Sequence, residues 1–124
     1  MIIIHDTEVS GTNVDSQTRC AHYNSDFDII AIKFKCCRQW FPCFKCHAEI
    51  TNHTPTVWTV NEYDIPAVLC GGCGHQLSIA EYVGCDSVCP KCRRGFNPGC
   101  ARHYHLYFES PRVESPHVDK WLGF

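Results

Sequence analysis

The chain has 124 residues, of which eleven are cysteine and eight are histidine, and its formal net charge is −2. A chain of this length forms one small domain, and its cysteine content indicates a framework of disulfides or of metal ions. A transmembrane helix is excluded, because no apolar run approaches the roughly 20 residues that a bilayer requires. This charge balance gives no excess of positive charge of the kind that binds nucleic acid or an acidic membrane.

Three segments are predicted along the chain. Residues 1–17 form an N-terminal arm, residues 18–108 a ligand-rich domain, and residues 109–124 a C-terminal arm with an apolar end. The start of the chain passes at once from apolar residues to His5 and Asp6, which is not the pattern of a secretory signal. We therefore expect a reducing, cytoplasmic location.

The predicted elements of the domain are short. Residues 28–35 and 56–60 are β-branched or apolar and predict strands. Residues 67–69 predict a third strand, and residues 77–82 fit either a strand or a short helical turn. Residues 102–108 alternate between polar and apolar side chains, which is typical of a strand.

The spacing of the cysteines distinguishes metal from disulfides. CxxC pairs begin at Cys43, Cys70 and Cys89, and a CxxC turn directs two sulfur atoms at one ion. One such pair could be a redox dithiol, whereas three pairs with histidines between them indicate metal. The predicted fold is therefore a small metal-stabilised, β-leaning α+β domain with short strands, zinc knuckles and little helix. Aromatic side chains are expected to pack around the zinc ions: Trp40, Phe41, Phe44, Trp58 and Tyr63.

Twelve residues form the predicted ligand set. At four ligands per structural zinc they fill three ions. They are Cys20, His22, Cys36, Cys37, Cys43, Cys46, His47, His53, Cys70, Cys73, Cys89 and Cys92.

Two partitions of these ligands are consistent with the sequence. One gives Cys20, His22, Cys43 and Cys46 to one ion and divides the other eight between two ions. In the other, the last two CxxC pairs close a zinc-ribbon site alone. Adjacent residues of an extended chain point in opposite directions, so we expect Cys36 and Cys37 to serve different ions, and Cys46 and His47 likewise.

Further cysteines and histidines lie outside this set. A fourth ion held by Cys85, Cys100, His103 and either His75 or His105 is the less favoured interpretation. The favoured one is a buried Cys100 and histidines on a solvated strand face.

The order of the ligands resembles a known family. Cys20-Ala21-His22-Tyr23, the Cys36-Cys37 pair and Cys43-x2-Cys46-His47, followed by His53 and two CxxC pairs, resemble the CHY-type zinc finger. The resemblance implies three zinc ions held by the same twelve residues and makes 18–108 a CHY-type domain. Ligase activity, which some members have through an attached RING module, is not expected in so short a chain. Small stand-alone members are more similar and imply metal handling.

These observations predict a zinc-binding protein rather than an enzyme. Closed sites of four Cys or His ligands build structure and leave no open position for a substrate. We expect a protein-interaction or metal-handling module whose partner the sequence does not identify.

Two alternatives remain open. A thiol-redox or zinc-transfer factor assisting oxidative folding would use the spare thiols of Cys85 and Cys100. A nucleic-acid-binding zinc ribbon would use Lys91, Arg93, Arg94 and Arg102, with Phe96 and Tyr104 for stacking, although the acidic net charge opposes it.

Overall fold

The computed structural model describes residues 2–97 and 107–109. Six short strands outnumber the two short α-helices in this part of the chain, so the predicted fold class is confirmed. The strands are β1 (Ile2–Ile4), β2 (Thr7–Val9), β3 (Ile30–Lys33), β4 (Trp40–Phe41), β5 (Val68–Cys70) and β6 (Gln76–Leu77). The helices are α1 (Phe44–Ile50) and α2 (Ile79–Gly84), and Val60–Glu62 forms a 3-10 turn. Neither α-helix of the described residues is long and apolar enough to cross a membrane.

The described strands form one sheet in the order β1-β2-β4-β3-β5-β6. Its centre is β3, which pairs antiparallel with β5 through Ile30 and Cys70 and through Ile32 and Val68. The contact between β2 and β4 is parallel, and the other pairings are antiparallel. The register places the end of β5, where a CxxC pair begins, beside the first residue of the central strand.

The two faces of β3 bury different side chains. Ile30 and Ile32 point into the larger cluster, which contains Phe41, Trp58 and many of the cysteines. Ala31 points to the opposite face, because alternate residues of a strand face opposite ways. There it joins a smaller cluster of Ile4, Val9 and Leu69.

Residues 2–9 form the hairpin that covers this smaller cluster. His5 and Asp6 join its strands with φ values of 48° and 67°, as a type I′ turn requires at both central positions. The segment predicted as an N-terminal arm thus supplies two strands of the sheet. The predicted domain boundaries themselves remain predictions.

The other predicted elements have mixed outcomes. The strands predicted at 28–35 and 67–69 are found as the shorter β3 and β5. Residues 77–82 contain the end of β6 and most of α2, so both readings hold in part.

The strand predicted at 56–60 is wrong. Of these five residues only Trp58 pairs with another segment, through an isolated β-bridge to Phe108. The residues before it, 52–56, are exposed, and the chain enters a 3-10 turn at Val60. Of the strand predicted at 102–108, only Tyr107 and Phe108 lie within the described residues.

The predicted aromatic packing is present. Phe41 and Trp58 are buried in the larger cluster, and Phe44 and Tyr63 pack against it half-buried. Trp40 packs against the smaller cluster instead. Trp58 also donates a hydrogen bond from Nε1 to the carbonyl of Lys33 at 2.7 Å, which satisfies its buried indole.

Candidate metal centres

The first site joins helix α1 to the loop before β3. Cys43 is the N-cap of α1, and its sulfur accepts a hydrogen bond from the amide of Cys46 at 3.4 Å. Cys20 and His22 come from the preceding loop, where the amide of Cys20 donates to the carbonyl of Tyr23. The Sγ atom of Cys20 lies 3.6 Å from that of Cys43 and 3.7 Å from Nδ1 of His22.

These separations fit a tetrahedral zinc ion. Zinc-ligand bonds of about 2.3 Å to sulfur and about 2.0 Å to nitrogen give edges of about 3.8 Å between two sulfurs and about 3.5 Å between sulfur and nitrogen. Nδ1 of His22 lies 3.4 Å from Sγ of Cys43 and 3.5 Å from Sγ of Cys46. All four ligand atoms lie within 4.8 Å of one another, so this group can hold one zinc.

Two further residues orient the first site and were not predicted. Glu49, one turn after Cys46 on α1, contacts Nε2 of His22 through its Oε2 at 3.0 Å. Its other oxygen accepts a hydrogen bond from the hydroxyl of Thr12 at 2.6 Å, and the amide of Thr12 donates to Sγ of Cys46. A carboxylate on the second ring nitrogen fixes the tautomer in which Nδ1 is available to metal. The spacing of Glu49 from Cys46 on a helix is the signal that could have identified it.

The second site lies on the other side of the start of α1. Cys36 and Cys37 occupy the turn after β3, His47 follows Cys46 on α1, and His53 comes from the loop after the helix. The Sγ atom of Cys36 lies 3.9 Å from that of Cys37 and 3.2 Å from Nε2 of both His47 and His53. The four ligand atoms again lie within 4.8 Å of one another.

One expectation about these neighbours is wrong and the other is confirmed. Cys36 and Cys37 share a group, because they lie in a turn, where side chains do not alternate as they do in an extended chain. Cys46 and His47 fall into different groups, as expected. The ligands of the first and second sites are therefore interleaved along the chain.

The third site is built from two knuckles with the same backbone. In each, the carbonyl of the first cysteine accepts from the amide four residues later: Gly74 to Cys70 at 2.8 Å and Arg93 to Cys89 at 2.9 Å. Both of these later residues have positive φ, 84° at Gly74 and 67° at Arg93. The repeated turn aims all four sulfurs of the site at one point.

The sulfur positions of the third site decide between the two predicted divisions of the ligands. Sγ of Cys70 lies 3.8 Å from Sγ of Cys92, and Sγ of Cys73 lies 3.8 Å from Sγ of Cys89. Both match the expected tetrahedral edge of about 3.8 Å. The last two CxxC pairs thus close a group by themselves, which is the zinc-ribbon partition. Gly71 is needed beside it, because a Cβ there would overlap the carbonyl of Gln17.

Crowding separates the pKa values of the first site's thiols. Hydrogen bonds from Cys43 and Cys46 lower the pKa of Cys20 far below its usual range. Contact with Cys20 raises the pKa of Cys43 and raises that of Cys46 to about 11. One thiolate is therefore stabilised by its neighbours, whereas the other two need the charge of the ion, so zinc binding releases protons.

The surroundings also shift the pKa values of two ligand histidines. The hydrogen bond to Glu49, and then that to Cys20, raises the pKa of His22. Burial, followed by the neighbouring His53, lowers the pKa of His47 and favours the neutral imidazole that binds metal.

The residues outside the twelve have other contacts. Sγ of Cys85 donates to the carbonyl of Tyr82 at 3.1 Å, and Nε2 of His75 lies 3.9 Å from Glu81. Cys100, His103 and His105 lie outside the described residues. The ten described cysteines are all unpaired thiols.

The residues proposed to contact nucleic acid are partly engaged within the domain. Phe96 is 2% exposed, so its ring does not offer a face for stacking. Arg94 donates from Nη1 to the side-chain oxygen of Gln17 at 3.1 Å. Lys91 and Arg93 are exposed, and Arg102 and Tyr104 lie outside the described residues.

The fold and the three groups define a small zinc-binding protein in which each of three Cys/His groups can hold one ion. The model of the CHY zinc finger family matches residues 20–104, and the chain belongs to this family.

Curated relatives resemble the chain over most of its length. A protein of Saccharomyces cerevisiae named Helper of Tim protein 13 is 42% identical over 114 residues, which cover 86% of this chain and 94% of the relative. A protein of the same name from Kluyveromyces lactis is 41% identical, covering 82% of this chain and 88% of the relative. An uncharacterised protein of Schizosaccharomyces pombe is 39% identical, covering 83% and 90%.

Proposed function

We propose that this protein is a non-enzymatic module that folds around three zinc ions and binds another protein. The observation that carries the proposal is the closure of each site by four protein ligand atoms within 4.8 Å of one another. A zinc with four protein ligands has no position for a water or a substrate, so its contribution is to folding rather than to a reaction.

We propose a Tim protein as the partner. Relatives that carry the name Helper of Tim protein 13 align with 86% and 82% of this chain, and the aligned region includes most of the domain that the zinc groups organise. A surface built on three metal sites keeps its shape only while zinc is bound, so we expect binding to depend on metal. The predicted cytoplasmic location remains a prediction, which cell fractionation followed by immunoblotting measures.

The experiment is isothermal titration of the purified, zinc-loaded chain into a purified Tim protein. We expect saturable binding by the loaded chain and none after dialysis against a chelator. Native mass spectrometry of the same sample should show three zinc ions. Absence of binding at concentrations of tens of micromolar would contradict the partner, and fewer zincs accompanied by disulfides would favour the thiol-redox alternative.

A further inference from the structure

The three sites differ in how far they are buried. In the first, Cys20, Cys43 and Cys46 are at most 2% exposed. In the third, Cys70 and Cys89 are fully buried. The second site has one buried ligand, His47, because both of its cysteines are half-buried and His53 is exposed. An incoming ligand therefore reaches the second ion most easily.

His53 is the least supported ligand of that site. It lies on the loop after α1, and residues 52–56 of this loop are all exposed. Its Nε2 lies 3.2 Å from Nε2 of His47 and 3.2 Å from Sγ of Cys36. Within residues 2–97 and 107–109, nothing hydrogen-bonds to its Nδ1.

In the other two histidine ligands, the ring nitrogen that is not a ligand atom contacts a second side chain. His22 contacts the carboxylate of Glu49, and Nδ1 of His47 lies 3.4 Å from the hydroxyl of Thr51. The ring of His47 also stacks on Phe34 with 4.3 Å between ring centroids and an interplanar angle of 11°. Such outer contacts commonly contribute about 10- to 100-fold in metal affinity, and no described residue makes one to His53.

The charges of the ligands also distinguish the second site from the other two. The first site offers three thiolates and the third offers four, whereas the second offers two thiolates and two imidazoles. With a divalent ion the second site is electrically neutral and the other two carry net negative charge. Fewer thiolates facing the ion mean weaker attraction and a lower electrostatic barrier to an incoming anionic ligand.

We propose that the group Cys36–Cys37–His47–His53 is an exchange site, which releases and accepts zinc while the other two sites retain theirs. His53 is the ligand that leaves. The incoming ligand is a thiolate of a cysteine-bearing protein or peptide. Its sulfur forms a bond to zinc as the bond from zinc to Nε2 of His53 breaks, and His53 departs as a neutral imidazole. No electron or proton is transferred, and Cys36, Cys37 and His47 hold the ion meanwhile.

Zinc release to a chelator tests this proposal without any partner. The three-zinc protein is mixed with excess 4-(2-pyridylazo)resorcinol, release is followed by absorbance, and the remaining ions are counted by native mass spectrometry. We expect one zinc to leave at least tenfold faster than the other two. Release of all three with one rate constant would overturn the proposal.

Variants identify the site that empties. His53→Cys replaces the neutral imidazole by a thiolate, whose charge strengthens the attraction to the ion, and should slow the fast phase. His53→Ala should accelerate it or abolish the third zinc. His75→Ala, a half-exposed histidine outside the three groups, is the matched control and should leave all phases unchanged.

Thiol labelling provides a readout that does not depend on variants. After the fast phase, brief treatment with N-ethylmaleimide and peptide mapping should find Cys36 and Cys37 labelled before any other ligand cysteine. Earlier labelling of the first or third site, or a fast phase unchanged in His53→Cys, would overturn the assignment.

Discussion

The ligands of the first two sites and those of the third are arranged along the chain in different ways. The first two sites take their eight ligands from residues 20–53 in alternating order, so the chain passes from one site to the other and back. The third takes all four from residues 70–92, on two knuckles with matching hydrogen bonds. Because the interleaved sites share backbone, we expect loss of the buried first site to weaken the second, whereas the contiguous third site can gain or lose its ion independently.

Helix α1 is the element that the first two sites share. Cys43 begins it, and the adjacent Cys46 and His47 face different ions. The helix has seven residues, which is too short to be stable without tertiary contacts. Its stability therefore depends on the two metal sites that it connects.

The largest effect is expected from Cys43→Ser, which removes a zinc ligand, whereas the serine hydroxyl can still cap α1. Structural zinc supplies roughly 10 kcal/mol or more to folding in finger peptides, as much as the whole net stability of a small domain, about 5–15 kcal/mol. We expect the first zinc to be lost and the second to be lost or weakened, with α1 unfolded. Native mass spectrometry counts the ions, and hydrogen exchange reports on residues 44–50.

Cys85→Ser is the control for that experiment. Cys85 is half-buried and lies outside the three groups, so this variant should keep three zincs. If Cys43→Ser lost one zinc and kept the second as tightly as the unmodified chain, the first two sites would be independent, and the comparison drawn above would fail.

A smaller and more local effect is expected from Cys92→Ser in the third site. The central pairing of β3 with β5 ends at Cys70, and of the strands that the structure describes only β6, Gln76–Leu77, follows it in the chain. We expect one zinc to be lost, faster hydrogen exchange over residues 85–97, and unchanged protection of α1. Loss of two or three zincs would show that the third site supports the interleaved pair.

Glu49→Gln tests the carboxylate behind His22. The substitution keeps the shape of the side chain and removes the charge that orients the imidazole, so zinc affinity at the first site should fall about tenfold, the lower end for such contacts. Competition with a chelator measures this change. Glu8→Gln, at an exposed position of β2, is the matched control, and equal affinities in the two variants would contradict the role of Glu49.

The sequence predicted the three-zinc framework and which residues come together, because CxxC spacing is a local signal. It also predicted the group of Cys20, His22, Cys43 and Cys46, but it left open whether the last two CxxC pairs close a site alone. The alternation argument for Cys36 and Cys37 assumed an extended chain, but these residues lie in a turn that is followed by Arg38 at a φ of 56°. The zinc counts of the variants described here measure whether Cys43, His53 and Cys92 bind zinc.

The other differences between the predicted and observed elements have separate causes. Helix α1 has seven residues, too few for an apolar period to be recognised. The N-terminal hairpin offered a signal that was not used, since β-branched residues flank the two-residue turn at His5 and Asp6. The strand predicted at 56–60 failed because propensity alone does not supply a neighbouring strand.

The smallest effect is expected from Glu62→Gln, which tests how firmly the turn of the second site is held. Nζ of Lys35, next to Cys36, contacts Oε1 of Glu62 at 2.6 Å. This hydrogen bond, followed by that from the amide of Thr59, lowers the pKa of Glu62 to about 2. A carboxyl with a lowered pKa stabilises the fold above its unfolded value of about 4.3, and this contribution is lost as the pH falls through the folded value.

Between about pH 6 and about pH 8 the carboxylate is therefore fully ionised in both states. The Lys35–Glu62 pair is only half-buried, and ion pairs that solvent reaches contribute little to stability. Glu62→Gln should therefore lower Tm slightly, by the same amount at both ends of this range, and keep three zincs. Asp64→Asn, an exposed carboxyl two residues away, is the control and should leave Tm unchanged. A loss of Tm that grew between the two pH values would show that a group titrating in this range, rather than Glu62, governs the turn that carries Cys36 and Cys37.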